Sequence, residues 1–141
     1  MHADLLRPVV ALIAWTLVML AWALATRLPA MRAAGIDLGT LVGTKPADGD
    51  RALPAEAQWK VHNYNHLAEQ PTLFYAVCLV LALIGPVHPF NVALAWAYVG
   101  LRVAHSLVQA TINRVAFRFV LFLLSSLVLV ALTLHAAMAV F

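Results

Sequence analysis

The sequence contains few charged residues, with nine Lys or Arg and six Asp or Glu among its 141 positions. Hydrophobic residues make up 64% of the chain and charged residues only 11%, unlike the composition of a soluble domain. The basic residues are scattered rather than clustered, which argues against a nucleic-acid-binding surface. These proportions indicate an integral membrane protein.

Cysteine is almost absent, since Cys78 is the single one in the chain. One cysteine excludes an intramolecular disulfide, and its place within an apolar run predicts a packing role. Long polar stretches are also missing, so the sequence leaves no room for a soluble catalytic domain. Any chemistry must therefore come from membrane-spanning segments and their short connections.

Four apolar runs are long enough to cross a hydrocarbon core, which needs roughly 20 helical residues. We expect an all-α, integral membrane four-helix bundle that forms a single domain over residues 1–141. The longest connection, residues 28–54, is rich in Gly and Pro and is interpreted as an interfacial loop. The predicted spans one to four cover about 5–26, 66–84, 90–109 and 115–141.

The distribution of basic residues predicts the topology. Lys and Arg accumulate on the cytoplasmic side of short loops, and most of them lie between spans one and two or at the start of span four. Both termini should therefore face away from the cytoplasm. Span one also carries an A-x-A pattern at Ala23 and Ala25, as signal peptides do, but its long apolar run favours a membrane span.

Span two is expected to begin before it enters the membrane. Pro54 suits a first helical turn, and Glu56 lies near the positive end of the helix dipole. These signals predict a cytoplasmic helical extension from about residue 55. Pro71 removes one backbone hydrogen bond and should bend the helix.

A polar stripe is predicted along span two. His62, Asn65, His66 and Glu69 stand at offsets 0, 3, 4 and 7, which places them on one face of a helix. This spacing predicts that the decapeptide HNYNHLAEQP presents a polar face to its neighbours.

Span three carries a second polar stripe with the same offsets, formed by Arg102, His105, Ser106 and Gln109. The short turn at 85–89 makes spans two and three antiparallel neighbours, which brings Glu69 level with Arg102. Because a charge in the bilayer is costly, we expect this pair to form an ion pair or to line a wet cavity. A register lock needs only the pair, whereas the surrounding polar residues favour a ligand pocket.

Two further arginines, Arg114 and Arg118, lie one turn apart at the start of span four. They either anchor the span at the cytoplasmic face or, with Arg102, form an electropositive site. Such a site suits an anionic ligand.

Two segments, NHLAEQPTLFYA and LRVAHSLVQATINRVAFRF, resemble the MAPEG family, the membrane-associated proteins in eicosanoid and glutathione metabolism. The resemblance covers nearly the whole chain and indicates a divergent bacterial-type member. It implies a homotrimer of four-helix protomers in the bacterial inner membrane, with glutathione as cosubstrate bound between protomers near the cytoplasmic face. Membrane lipids and a lipophilic small-molecule substrate are the other implied partners.

The resemblance also implies the residues of the glutathione site, to which the two stripes add His62 and Gln109. The family's catalytic members carry a tyrosine seven residues after the arginine of R-x-x-H, and Gln109 stands there instead. An amide cannot titrate but can form hydrogen bonds. We therefore expect Arg102 to hold a thiolate, with Ser106 as a donor. The implied set is Asn65 or His66, Glu69, Arg102, His105, Arg114 and Arg118.

A second departure concerns the family's asparagine, which commonly precedes its glutamate by three residues. Here His66 holds that position, and Asn65 lies four residues before Glu69.

Three functions are compatible with these residues. The first is a glutathione transferase or peroxidase that acts on lipophilic electrophiles. The second is a noncatalytic protein that binds lipid or glutathione, which Gln109 favours. The third is a haem or metal protein liganded by His62, His66 and His105, although few carboxylates accompany these histidines.

Overall fold

The computed structural model describes residues 3–141, and the regular structure in that range is entirely α-helical. Four long rods run through the molecule: the first helix, the next two long helices joined end to end, and the last two helices. A short helix lies in the first connection. The helices are α1 (Ala3–Ala33), α2 (Pro46–Ala52), α3 (Ala55–Glu69), α4 (Pro71–Ile84), α5 (Pro89–Ala110) and α6 (Val115–Val140).

The first helix is longer than the sequence predicted. The expected loop start at residue 28 is wrong, because α1 continues through Pro29 to Ala33. The boundary of the membrane span near residue 26 stays a prediction. A proline removes one backbone donor without forbidding helix on both sides of it, and Met31 anchors this last turn by being buried. The remaining connection contains α2, whose start is closed by the Asp48 carboxylate accepting from the Lys45 amide at 2.8 Å.

The second rod divides at the proline, as the sequence predicted. α3 ends at Glu69 and α4 begins at Pro71, while Gln70 between them keeps helical angles of φ −58° and ψ −38°. The rod therefore continues from Ala55 to Ile84. At the break, the Thr72 hydroxyl donates to the Glu69 carbonyl at 2.6 Å, which satisfies one of the backbone groups that the proline disturbs.

Within residues 3–141, three helical segments are long and apolar enough to cross a membrane: α1, the α3–α4 rod and α6. The shared core contains Leu5 and Leu12 of α1, Phe74 of α4 and Leu132 of α6, all fully buried. The composition and these segments show an integral membrane protein. α5 is less apolar because one of its faces is polar, and it packs against α1, α3 and α6.

Candidate functional site

The inner face of α5 is a row of buried polar side chains. Arg102 and Ser106 are fully buried, and His105 and Gln109 expose only 2% and 4% of their surface. The predicted single polar face on this helix is therefore confirmed. Tyr98, one turn earlier, lies fully buried on the same face.

The inner face of α3 differs from the predicted stripe by one residue. His62, Asn65 and Glu69 are exposed, and of the four predicted residues only His66 turns partly inward. The side chains that face the neighbouring helices, apart from the apolar Leu67, are polar and stand at the same offsets shifted by one position, a rotation of about 100°. They are Asn63, His66 and Gln70.

The guanidinium of Arg102 is the centre of the cluster, and its partners are neutral. Nη1 donates to Gln70 Oε1 at 3.2 Å. Nη2 lies 3.0 Å from His66 Nδ1 and donates to the His66 carbonyl at 3.0 Å. Because a guanidinium can only donate, His66 Nδ1 is the acceptor and its neutral ring carries the proton on Nε2.

Of the two arrangements expected for Glu69 and Arg102, an ion pair or a shared wet cavity, the ion pair is wrong within the protomer. The Glu69 carboxylate is exposed, and the adjacent residue, Gln70, takes its place beside the guanidinium. The physical reason is the one-residue rotation of α3, which turns an amide inward and leaves the carboxylate on the outer surface. Arg102 thus carries a buried charge without a carboxylate partner in the part of the chain that the structure describes.

Gln70 contacts Arg102 and a second residue on α5, and it also contacts α6. Its Oε1 also accepts from the Tyr98 hydroxyl at 3.4 Å, and its Nε2 donates to Ser126 Oγ at 2.7 Å. The Tyr98 ring stacks on Phe74 with centroids 4.3 Å apart. Gln70 therefore forms the wall between the buried guanidinium and the surface between α4 and α6.

Ser106 lies in a separate hydrogen-bond group on the α1 side of α5. Its Oγ accepts from Trp15 Nε1 at 3.1 Å and from Asn63 Nδ2 at 2.8 Å. Two donors and complete burial fix this hydroxyl between α1, α3 and α5. In the protomer Ser106 holds the helices together, one turn from Arg102.

His66 and His105 stack on each other, with ring centroids 4.9 Å apart and planes 24° from parallel. Phe122 of α6 packs edge-on against His66. The nitrogen lone pairs of an imidazole lie in the plane of its ring. In two stacked rings they therefore point outward from the ring edges in nearly parallel planes. The pair forms a flat aromatic wall next to Arg102.

His62 belongs to a different contact from the one predicted. Its Nε2 lies 2.8 Å from Asp50 Oδ1, which also accepts from Gln58 Nε2 at 2.9 Å. The hydrogen bonds from Gln58 and then from His62 lower the pKa of the Asp50 carboxyl. These bonds tie the short helix α2 to the start of α3.

The two arginines after α5 lie at the end of the molecule that also carries Gln109. Arg114 is exposed at the start of α6, and Arg118 is half-buried with its Nη1 donating to Asn113 Oδ1 at 2.5 Å. Arg118 therefore holds the turn at residue 113, where the backbone has a positive φ of 51°. Arg114 leaves its charge available at the surface.

Several buried polar atoms of this region have no hydrogen-bond partner among residues 3–141. An orphaned polar atom is costly in a folded interior unless a ligand, water or another chain satisfies it. Donors and acceptors are both represented among these atoms. The atoms are Arg102 Nε, Arg118 Nε, Gln109 Oε1 and Asn63 Oδ1.

The sequence reasoning missed four members of this cluster: Trp15, Asn63, Gln70 and Ser126. Asn63 and Gln70 repeat the offset of seven residues and could have been found by testing the alternative phase of the stripe. Trp15 and Ser126 lie on other helices and carry no spacing signal.

Comparison with known proteins agrees with this architecture. The sequence model of the MAPEG family matches residues 5–138. Searches of curated proteins and of solved structures each gave no significant match. The match covers all four rods and both polar faces, and we conclude that this chain belongs to the MAPEG family.

Proposed function

We propose that this protein binds glutathione near the cytoplasmic face of the membrane and conjugates it to lipophilic electrophiles. The observation that supports the proposal is Arg102, a fully buried cation with only neutral partners in the protomer. A buried charge without a counter-charge is strongly unfavourable. An anionic ligand would supply the missing charge, and family membership makes glutathione the candidate.

Arg102 would act by favouring the thiolate form of glutathione. The thiolate is the nucleophile, and a free thiol ionises only near pH ~8.5. A preorganised guanidinium in a dry site stabilises an anion far more than it does in water. The entering sulfur would replace a neutral acceptor, Gln70 or His66, and gain a charge-assisted hydrogen bond.

The orphaned atoms fit the rest of such a ligand. Glutathione carries amide N–H donors for the Gln109 and Asn63 oxygens and carboxylates for the arginine side chains. Arg114 and Arg118 lie at the end of α6 where a carboxylate could be held at the surface. Gln109 thus contributes binding rather than a titrating group.

The exposed polar residues of α3 favour a site completed by a second copy of the chain. Within residues 3–141 the exposed side chains of Asn65 and Glu69 make no hydrogen bond, although they belong to a helix that leads into the membrane. We propose a homotrimer of four-helix bundles in which α5 is the fourth span. Asn65 and Glu69 would then face the neighbouring protomer, with both termini away from the cytoplasm of a bacterial inner membrane.

The decisive experiment is conjugation of glutathione to an aryl halide by the protein purified in detergent. In this reaction the C–S bond forms as the carbon–halogen bond breaks, halide leaves with the electron pair, and the thiol proton goes to solvent. We expect turnover in the wild type and a loss of at least ~100-fold in Arg102→Met, in line with the removal of an oxyanion-type donor. Equal rates in the two proteins would refute the proposal.

A matched control is Arg7→Met, because Arg7 is an exposed arginine of α1 that pairs with Asp4 at 3.1 Å. It should conjugate at the wild-type rate. This control separates loss of the site from a general effect of removing an arginine.

A noncatalytic glutathione-binding protein is the second candidate, and Gln109 is the observation that favours it. Where the family's catalytic members carry a tyrosine, this chain has the buried amide of Gln109. Tyr98 donates a hydrogen bond to Gln70 and stacks on Phe74. If the wild type binds glutathione without turnover and Gln109→Tyr creates turnover, this second function is correct.

A further inference from the structure

One cavity lies away from Arg102, at the end of α1 over which the first connection folds. Its volume is about 490 Å³, within the ~300–1,000 Å³ typical of small-molecule sites. The lining comes from the last turns of α1, from the connection and from α2, and we call it the connection cavity. None of its lining residues bonds to Arg102. The connection cavity is therefore separate from the proposed glutathione site.

Part of the wall of the connection cavity consists of leucine side chains that the protein leaves uncovered. Leu24 and Leu28 stand one turn apart on α1, and Leu38 and Leu41 belong to the connection. All four are exposed and line the same cavity. An alkyl chain placed against them would remove apolar surface from water, which is favourable.

Two cations, Arg27 and Lys45, line the same cavity. Neither forms an ion pair with a carboxylate in the part of the chain that the structure describes. The single carboxylate of the lining, Asp48, accepts from the backbone amide of Lys45 at 2.8 Å. The connection cavity therefore combines an apolar wall with a net positive charge.

The position of the Arg27 guanidinium depends on a glycine of α2. A Cβ at Gly49 would lie 3.3 Å from Arg27 Nη2 and 3.1 Å from Gln58 Nε2, so the missing side chain lets the guanidinium lie against α2. The charge of Arg27 also reaches Asp50, where it is the weakest of the causes that lower the pKa of that carboxyl. Asp50 is already hydrogen-bonded to Gln58 and His62, so the Arg27 charge remains available to a ligand.

The length of α1 places Arg27 at the level of the lipid headgroups. Arg7 and Arg27 are 27 − 7 = 20 residues apart, and no charged residue stands between them. This separation corresponds to a rise of about 30 Å along the helix, which is the thickness of the hydrocarbon core. Arg27 lies at the end of α1 that is predicted to be cytoplasmic, and the cytoplasmic leaflet carries anionic lipids. The connection cavity can therefore receive a lipid directly from that leaflet.

We propose that the connection cavity binds an anionic phospholipid, with one acyl chain against the four leucines and the phosphate on Arg27 and Lys45. Arginine binds phosphate through paired hydrogen bonds, and lysine binds it as a point charge. An apolar helix of a second copy could cover the leucines, but α4 and α6 contain no Asp or Glu to meet the two cations. A phospholipid supplies both the apolar chain and the anion, and it would hold the connection against α1.

The test is native mass spectrometry of the full chain in detergent, titrated with dioleoyl phosphatidylglycerol or with dioleoyl phosphatidylcholine. We expect the first phosphatidylglycerol molecule to bind at least ~5-fold more tightly than the first phosphatidylcholine, which carries no net charge. Arg27→Gln and Lys45→Gln should each weaken phosphatidylglycerol binding by about 5-fold, the effect of one basic residue at an anionic membrane surface. Arg32→Gln is the matched control, because Arg32 is exposed on α1 and does not line the cavity. It should bind as the wild type does.

A second pair of variants tests the apolar wall. Leu41→Ser should weaken phosphatidylglycerol binding by at least ~3-fold, because it removes part of the surface that the acyl chain covers. Val42→Ser is its control, since the neighbouring Val42 is exposed but does not line the cavity. Its affinity should equal that of the wild type.

Equal affinities of the wild type for the two lipids, or equal losses in Arg27→Gln and Arg32→Gln, would overturn the proposal. Tighter binding of oleate than of phosphatidylglycerol would assign the cavity to a free fatty acid and contradict a phospholipid. A disulfide-linked dimer of Leu41→Cys that phosphatidylglycerol does not prevent would show that a second copy covers the cavity instead. None of these measurements uses glutathione, so they stand apart from the proposed function.

Discussion

Gln70, rather than Glu69, is the residue whose loss should most disturb the buried arginine. Gln70→Leu keeps the side-chain size but removes the acceptor for Arg102 Nη1 at 3.2 Å and the donor to Ser126 at 2.7 Å. A hydrogen bond to a charged group contributes roughly 1.5 kcal/mol at the lower end of its range. A neutral bond between membrane helices adds about 0.6 kcal/mol. The free energy of unfolding should therefore fall by about 2 kcal/mol, or roughly 30-fold in the unfolding equilibrium constant.

The assay is reversible unfolding by SDS in mixed micelles, followed by circular dichroism. Glu56→Gln is the control, because the Glu56 side chain is exposed in the first turn of α3 and is not among the residues proposed to face a second protomer. Its effect should stay within about 0.5 kcal/mol. If Gln70→Leu destabilises the protein no more than Glu56→Gln does, Gln70 is not the acceptor that holds the Arg102 guanidinium.

Three further predictions concern Gln70, Tyr98 and Asp50. Gln70→Glu places a carboxylate beside Arg102, so it should raise stability in the SDS assay while weakening glutathione binding; unchanged glutathione binding would contradict a shared cation. Tyr98→Phe removes one long hydrogen bond of 3.4 Å, so it should cost about 0.5 kcal/mol and leave conjugation intact, and loss of turnover would instead make Tyr98 catalytic. The Asp50 pKa is lowered in the folded state, so its contribution to docking α2 is present above the usual carboxyl range and is lost as pH falls through the folded pKa. The protection factors of the α2 amides, which are corrected for the intrinsic pH dependence of exchange, should fall on acidification in the wild type but not in Asp50→Asn, and identical profiles of protection against pH would refute this role.

The polar face of α5 was predictable because the rest of that helix is apolar. Arg102, His105, Ser106 and Gln109 stand at one helical spacing in an apolar background, so only one face was available for them. All four are buried in the structure.

The face of α3 was not predictable in the same way. Its sequence HNYNHLAEQ is polar on most sides, so two phases of the stripe fit equally well. The offsets 0, 3, 4 and 7 selected the phase that contains Glu69, and the pairing of Glu69 with Arg102 was then expected from that phase. The phase observed in the structure depends on long-range contacts, such as the hydrogen bond from Asn63 to Ser106 on α5. No local sequence pattern encodes these contacts.

The end of α1 shows a different limit of sequence reasoning. Gly and Pro after residue 28 indicated a loop, but burial of Met31 keeps the helix intact to Ala33. Tertiary contacts override a local helix-breaking signal when one lost hydrogen bond is the only penalty.

The central claim is that the buried guanidinium of Arg102 binds an anionic ligand. Calorimetric titration of glutathione into the purified protein tests this claim most directly. The account predicts saturable binding that weakens with added salt, and at least ~10-fold weaker binding to Arg102→Met, the equivalent of one charge-assisted hydrogen bond of about 1.5 kcal/mol. Arg7→Met should bind as the wild type does. Equal affinity of the wild type and Arg102→Met for glutathione would contradict the account.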